Sequence, residues 1–222
     1  MLAIFKGILK QDLRVMLRQR SEWVQPLVFF MIFISLFGIG LGFDSSMLIM
    51  VAPAIIWIAF LLTSLFTIES IFRRELDSGL LEQLVLSPHP LWWLLLAKWL
   101  AIWTISCLPL IVLMPLLGLF MNLSLNENGI LLLSVLTASP AITMMGMLGA
   151  TLTLALPRSG VFLGILLLPL YIPVLILGES AVVLLMSGAN PVFQMAVLGA
   201  ISILTLTLIP HAGAFALKVA MD

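Results

Sequence analysis

The sequence predicts an all-α integral membrane protein with six transmembrane helices, from its composition, the length of its apolar runs and the distribution of its charges. Hydrophobic residues make up 63% of the 222 residues, charged residues only 9%, and the mean hydropathy is +1.27. A soluble domain carries roughly 25% charged residues to cover its surface. We therefore expect most of the outer surface to face lipid, in a single domain over residues 1–222.

Six apolar runs are long enough to cross a bilayer as helices. A span needs about 20 mainly apolar residues, and unpaired backbone groups in lipid are costly, which favours helices over strands. The runs cover approximately residues 24–43, 47–68, 99–121, 129–156, 161–177 and 191–217. We expect the first to remain a span rather than a cleaved signal peptide, because it is too long for a signal h-region and further spans follow.

The charges predict the orientation of these spans. Lys and Arg in short loops are retained on the cytoplasmic side of the membrane. With six spans and both termini cytoplasmic, every Lys and Arg falls on that side, and the three outer loops hold only Asp44, Glu127 and Glu179. The basic residues are Lys6, Lys10, Arg14, Arg18, Arg20, Arg73, Arg74, Lys98, Arg158 and Lys218. Five or seven spans would place some of them outside.

Residues 1–22 are predicted to form an amphipathic helix in the membrane interface. Basic residues recur every fourth position from Lys6 to Arg18, and an adjacent row carries Phe5, Leu9, Leu13 and Leu17. Such a helix places its apolar side in the acyl boundary and its basic side toward anionic headgroups. Two alternatives remain open: a basic flank that only sets the topology, or a helix that also touches a cytoplasmic partner.

Residues 69–90 are predicted to form a cytoplasmic helical hairpin between the second and third spans. Gly79 breaks the first helix, and Pro88 and Pro90 end the second. Amphipathic helices outside the membrane favour a docking surface for another protein, although an ordinary solvated loop is the alternative. The candidate docking residues are Glu69, Arg73, Arg74, Glu75, Asp77, Gly79, Glu82 and Gln83.

The sequence lacks the marks of a catalytic, cofactor or metal site of its own. It has no phosphate-binding loop of the Gly-x-x-x-x-Gly-Lys-Ser/Thr type, and we find no ionisable residue deep in a span. His89 and His211 have no metal-ligand spacing, and Cys107 is interpreted as a small buried hydrophobe. Pro169 and Pro173 indicate either a hinge or static packing. The pattern is typical of a membrane subunit driven by a separate ATPase.

Several stretches make the chain resemble the cytochrome c maturation protein B family, the haem-exporter permeases of ABC-type complexes. The matching stretches are 26–37, 52–57, 69–84 with its ending Leu-Glu-Gln-Leu, 152–160 and 168–173. The resemblance implies a permease in the bacterial inner membrane that couples ATP hydrolysis by another subunit to haem delivery or haem-chaperone release. It also implies a homodimer, an ATP-binding cassette subunit, a haem-handling membrane subunit and a periplasmic haem chaperone as partners, with ATP and haem bound by the partners and no nucleic acid.

Two other functions fit the same residues. A permease subunit of a drug or polysaccharide ABC exporter shares the architecture, and a membrane scaffold could hold an assembly complex together without transporting anything.

Overall fold

The computed structural model describes residues 2–18, 20–42, 46–77, 79, 84–153 and 159–221. Across these ranges the chain forms eight α-helices and no strand. They are α1 (Leu2–Arg18), α2 (Arg20–Leu41), α3 (Ser46–Asp77), α4 (Leu91–Ser106), α5 (Leu108–Phe120), α6 (Leu125–Thr153), α7 (Ser159–Met186) and α8 (Val192–Met221).

Six stretches of the described helices are long and apolar enough to cross a membrane, which confirms the predicted all-helical class and number of spans. They are Val24–Leu41, Ser46–Glu75, Leu91–Phe120, Leu125–Thr153, Phe162–Met186 and Val192–Val219. The third consists of α4 and α5 with a break at Cys107. Pro109 has no N–H to continue the helical ladder at this point, which accounts for the interruption.

The prediction that the third span starts near residue 99 is wrong. α4 begins at Leu91, directly after Pro90, whose φ of −58° suits the residue that precedes a helix. Lys98 therefore lies inside an apolar helix and is 2% exposed, not in a solvated connection. Lys98 thus lies within the third span, two helical turns from its start.

The loops after the third and the fifth span are both shorter than predicted. Ser124 and Glu127 form a capping box, in which the Ser124 N–H donates to Glu127 Oε2 at 2.7 Å, so Glu127 lies in the first turn of α6. The fifth span continues to Met186, which places the half-buried Glu179 within α7. The helix continues through Gly178, whose bare backbone accommodates the indole of Trp57.

The second span and the first half of the predicted hairpin form one uninterrupted helix. α3 runs through Glu69 to Asp77, and the chain then turns at Gly79 with φ of +70°. A positive φ is readily adopted by glycine, as the predicted break requires. Residues 80–83 lie outside the described residues, and the chain is helical again at Leu84 and Val85.

α6 is the central helix, packed against α3, α4, α5, α7 and α8. The absent N–H of Pro140 leaves the Leu136 carbonyl without its helical donor, and the Ser139 hydroxyl donates to that carbonyl at 3.1 Å. The Trp103 indole N–H donates in turn to Ser139 Oγ at 2.9 Å. Polar groups buried in an apolar bundle are thereby satisfied between helices α4 and α6.

α1, the end of α3, the start of α4 and the end of α8 meet at one end of the bundle, which we call the basic end. Phe5 of α1 contacts Trp93 of α4, with ring centroids 5.3 Å apart. Trp92, next to it, stacks on His211 of α8 at 5.1 Å. The outer faces of α2, α7 and α8 expose many apolar side chains, as expected for lipid or partner contact.

Candidate docking site at the basic end of the bundle

A buried lysine joins three helices at the basic end. The Lys98 ammonium of α4 lies 2.6 Å from Glu75 Oε1 of α3 and 3.7 Å from Asp12 Oδ2 of α1. Glu75 is 7% exposed and Lys98 2%. Removing one partner of such a buried pair costs about 3 to 5 kcal/mol, since the remaining charge is left uncompensated. These three side chains, the Lys98 cluster, therefore fix the end of α3 relative to α1 and α4.

Regular helix packing brings the cluster together. Lys98 follows Leu91, Leu94 and Leu95 on the buried side of α4, at the spacing of one helix face. Asp12 follows Ile8 by one turn on α1, and Ile8 packs against the core. The polar heads thus continue apolar stripes that already face the bundle.

The carboxylate of Asp12 is the more distant of the two from the Lys98 ammonium. Burial raises its pKa above the ordinary range, an effect that exceeds the opposing attraction of the Lys98 ammonium. Beside it lies a cavity of about 170 Å³ to which the returning end of the hairpin contributes Leu84 and Ser87. Leu84 and Ser87 therefore lie beside the Lys98 cluster.

Aromatic rings extend this connection across the basic end. Phe5 contacts Trp93, Trp93 contacts Trp92 at 5.3 Å, and Trp92 stacks on His211 with an interplanar angle of 14°. His211 Nδ1 donates to the Thr207 carbonyl at 3.1 Å, since a carbonyl oxygen can only accept. Helices α1, α4 and α8 are linked in this way.

The outward side of α1 carries the predicted basic row. Lys6, Lys10, Arg14 and Arg18 are exposed. Of the predicted apolar row, Phe5, Leu9 and Leu13 are partly buried, and Leu13 packs against the bundle core. The apolar side of α1 thus has a protein partner in α4, besides any contact that it makes with lipid.

The predicted docking residues divide into buried and accessible ones. Arg73 is exposed, and Glu69 and Arg74 are half-buried. Glu75 is buried and forms an ion pair with Lys98. Gly79 forms the turn. The side chain of Asp77 and all of Glu82 and Gln83 lie outside the described residues. Glu75 is therefore buried inside the subunit, where it pairs with Lys98, and Arg73 is exposed at the surface.

The proposed hinge lies in a helix that remains continuous. Pro169 and Pro173 are both inside α7 and both exposed, whereas Tyr171 between them is buried and donates to the Ile142 carbonyl at 2.9 Å. The hinge stays a prediction.

Sequence reasoning did not identify Asp12 or give Lys98 a partner. Two signals were available: Asp12 is an acid within a basic row, and Lys98 stands alone in the apolar segment from Leu91 to Trp103. An isolated charge in such a segment requires a partner from another helix. Which helix supplies that partner depends on the tertiary packing.

Comparison with known proteins gives consistent matches over nearly the whole chain. A family model described as CcmB protein matches residues 3–220. A protein of Pseudomonas aeruginosa named Heme exporter protein B is 41% identical over 218 residues, with 98% of each chain covered. Proteins of the same name from Haemophilus influenzae and Escherichia coli K12 are 40% and 39% identical over 221 and 223 residues, covering 99% of this chain and 99% and 100% of theirs.

Proposed function

The chain belongs to the CcmB family of membrane subunits in cytochrome c maturation, and from that premise we propose that it is the permease through which a separate ATPase acts on haem delivery or haem-chaperone release. The observation that carries this proposal is the Lys98 cluster, which fixes the end of α3 where the hairpin begins. A surface that receives force from a partner must be firmly attached to the spans. The cluster supplies that attachment through α1 and α4.

The basic end faces the cytoplasm in this proposal, with both termini on that side. Exposed Lys and Arg residues on α1 and at Arg73 support the orientation, because short basic segments are retained inside. The hairpin then meets the ATP-binding cassette subunit. The membrane is the bacterial inner membrane.

The cofactors belong to the partners. ATP is bound by the cassette subunit, and haem by the haem-handling membrane subunit and the periplasmic chaperone. Two copies of this chain pair in the complex, which gives the broad apolar outer faces of α2, α7 and α8 a partner besides lipid.

Site-specific photo-cross-linking tests the docking. A photoreactive residue replaces Arg73 on the basic end or Asn190, which is exposed in the loop between α7 and α8. We expect the first variant, co-expressed with the cassette subunit, to cross-link to it and the second to give no such product. A cassette cross-link from position 190, or none from position 73 in an assembled complex, would contradict the proposal.

Loss of the gene tests the assignment to cytochrome maturation. A deletion strain should retain its apocytochromes c and lose their covalently bound haem, as haem staining of membrane and periplasmic proteins would record. Normal c-type cytochromes in that strain would contradict the assignment.

A further inference from the structure

A groove runs between α2 and α3 close to the basic end. Its volume is about 290 Å³, and α2 contributes Gln25 and Phe29 while α3 contributes Phe66, Ser70 and Arg74. Phe29 is 36% exposed and Phe66 53%, so the groove opens to the outer face of the bundle. In a membrane-spanning chain this face meets lipid or another transmembrane segment.

The lining changes from apolar to polar along the helix axis. Phe29 and Phe66 meet edge to face, with centroids 5.8 Å apart, and form the part nearer the middle of the span. Arg74 lies two helical turns farther along α3, which corresponds to about 12 Å at 1.5 Å per residue. Gln25 and Ser70 accompany the guanidinium at the basic end.

The polar part has the chemistry of a phosphate-binding site. A guanidinium carries five N–H donors and can serve more than one acceptor, with a preference for bidentate phosphate contacts. The next carboxylate on α3, that of Glu75, contacts Lys98 at 2.6 Å and also interacts electrostatically with Arg74. The exposed basic row on α1 adds positive charge to this end of the bundle.

We propose that this groove binds one anionic phospholipid. Its phosphate contacts Arg74 and Gln25, and an acyl chain lies along Phe29 and Phe66. Ser70 lines the same part of the groove, with its hydroxyl donating to the Thr67 carbonyl at 2.9 Å. The polar lining at Arg74 and the aromatic lining at Phe66 follow each other along α3 in the same order as the parts of a lipid in a leaflet. The charged headgroup lies at the membrane surface and the hydrocarbon lies deeper. Anionic lipids concentrate on the leaflet that basic segments face.

Native mass spectrometry of the full chain tests the proposal directly. The protein is released from nanodiscs that contain equal amounts of phosphatidylcholine and phosphatidylglycerol. We expect wild-type protein to retain phosphatidylglycerol in preference to phosphatidylcholine, and Arg74→Gln to lose that preference several-fold. Arg73→Gln is the matched control, since it removes the same charge from the adjacent residue, which does not line the groove, and should retain the lipid.

A second pair of variants separates lipid binding from other causes. Ser70→Trp fills the groove while keeping Arg74 and should also lose the retained lipid, with helix content unchanged by circular dichroism. Equal losses from Arg73→Gln and Arg74→Gln would overturn the proposal in favour of general surface electrostatics. Disulfide-linked dimers of Ser70→Cys formed in the membrane would overturn it as well, because a second copy would then occupy the groove.

Discussion

The Lys98 ammonium faces two carboxylates that contribute differently. Glu75 Oε1 is in direct contact at 2.6 Å, whereas Asp12 Oδ2 is 3.7 Å away and its side chain is 20% exposed. Burial raises the pKa of Asp12 in spite of the ammonium. In an unfolded chain the Asp carboxyl has a pKa of about 3.9. Because burial raises the pKa of Asp12 in the folded chain, its contribution to stability is fully present below the unfolded pKa and is lost as the pH rises through the folded pKa.

Neutralising each carboxylate in turn should give different results at neutral pH, because only Glu75 is in direct contact with the Lys98 ammonium. Asp12→Asn removes a charge that is unfavourably buried, so we expect an unchanged or higher thermal unfolding midpoint and a weaker dependence of that midpoint on pH above about pH 4. Glu75→Gln removes the close partner of Lys98 and should destabilise the chain by about 3 to 5 kcal/mol. Tryptophan fluorescence of the detergent-solubilised protein would follow both. An equal loss from the two variants at neutral pH would show that Asp12 is a full ion-pair partner.

Two glycines within α7 have different surroundings. A Cβ on Gly178 would overlap the Trp57 indole of α3, whereas a Cβ on Gly164 would meet nothing within 4 Å. Glycine within a helix costs roughly 1 kcal/mol relative to alanine. Gly178 therefore allows α3 and α7 to approach closely, and the contact with Trp57 offsets the low helix propensity of glycine.

This difference predicts the effect of a single methyl group at each position. Gly178→Ala should destabilise the protein by about 1 to 3 kcal/mol through overpacking. Gly164→Ala should leave stability unchanged or raise it slightly, because only helix propensity changes. The unfolding midpoints of the two variants measure the contrast, and matching midpoints would mean that Trp57 moves aside at no cost.

Element ends were harder to predict than the elements themselves. Apolar runs alone revealed six spans, because any segment in hydrocarbon must satisfy its own backbone. The fifth span runs through Gly178, where the predicted span stops, and its helix ends at Met186, just before Gly188 with φ of +79°. The start of the fourth was readable, since Ser124 and Glu127 form a capping box with a sequence signature.

The candidate docking segment could be recognised in the sequence, but the ion pairs that fix it to the bundle could not. Charges and leucines between Glu69 and Pro90 stand out in a chain with so few polar residues. The pairing of Glu75 with Lys98 and Asp12 depends on how α1, α3 and α4 pack. A sequence pattern within one segment contains no information on that packing.

At the scale of the whole molecule, the proposed orientation places the loops opposite the basic end on the periplasmic side. Single cysteines test this in a Cys107→Ser background, since Cys107 is the only native cysteine. We expect Asn126→Cys and Asn190→Cys, both at exposed positions, to react with an impermeant thiol reagent from the periplasmic side. Arg73→Cys should react only after the membrane is opened. Labelling of Arg73→Cys in intact spheroplasts would reverse the proposed orientation.

The charge reversal Glu82→Lys tests most directly whether the hairpin couples the ATPase to the membrane subunit. Glu82 follows the Gly79 turn, and a carboxylate buried in the interface needs a basic or N–H partner on the cassette subunit. Reversal would replace attraction by repulsion, worth on the order of 2 to 5 kcal/mol. Asn126→Lys, on the opposite end of the bundle, is the control.

The measurement is capture of the cassette subunit by tagged, membrane-inserted chain, together with ATP hydrolysis by the reconstituted complex and haem staining of c-type cytochromes. For Glu82→Lys we predict normal membrane insertion, but loss of cassette-subunit capture or of stimulated ATP hydrolysis, and loss of c-type cytochromes. Asn126→Lys should behave like wild type in all of these measurements. Wild-type capture, hydrolysis and cytochrome content for Glu82→Lys would contradict docking through this hairpin.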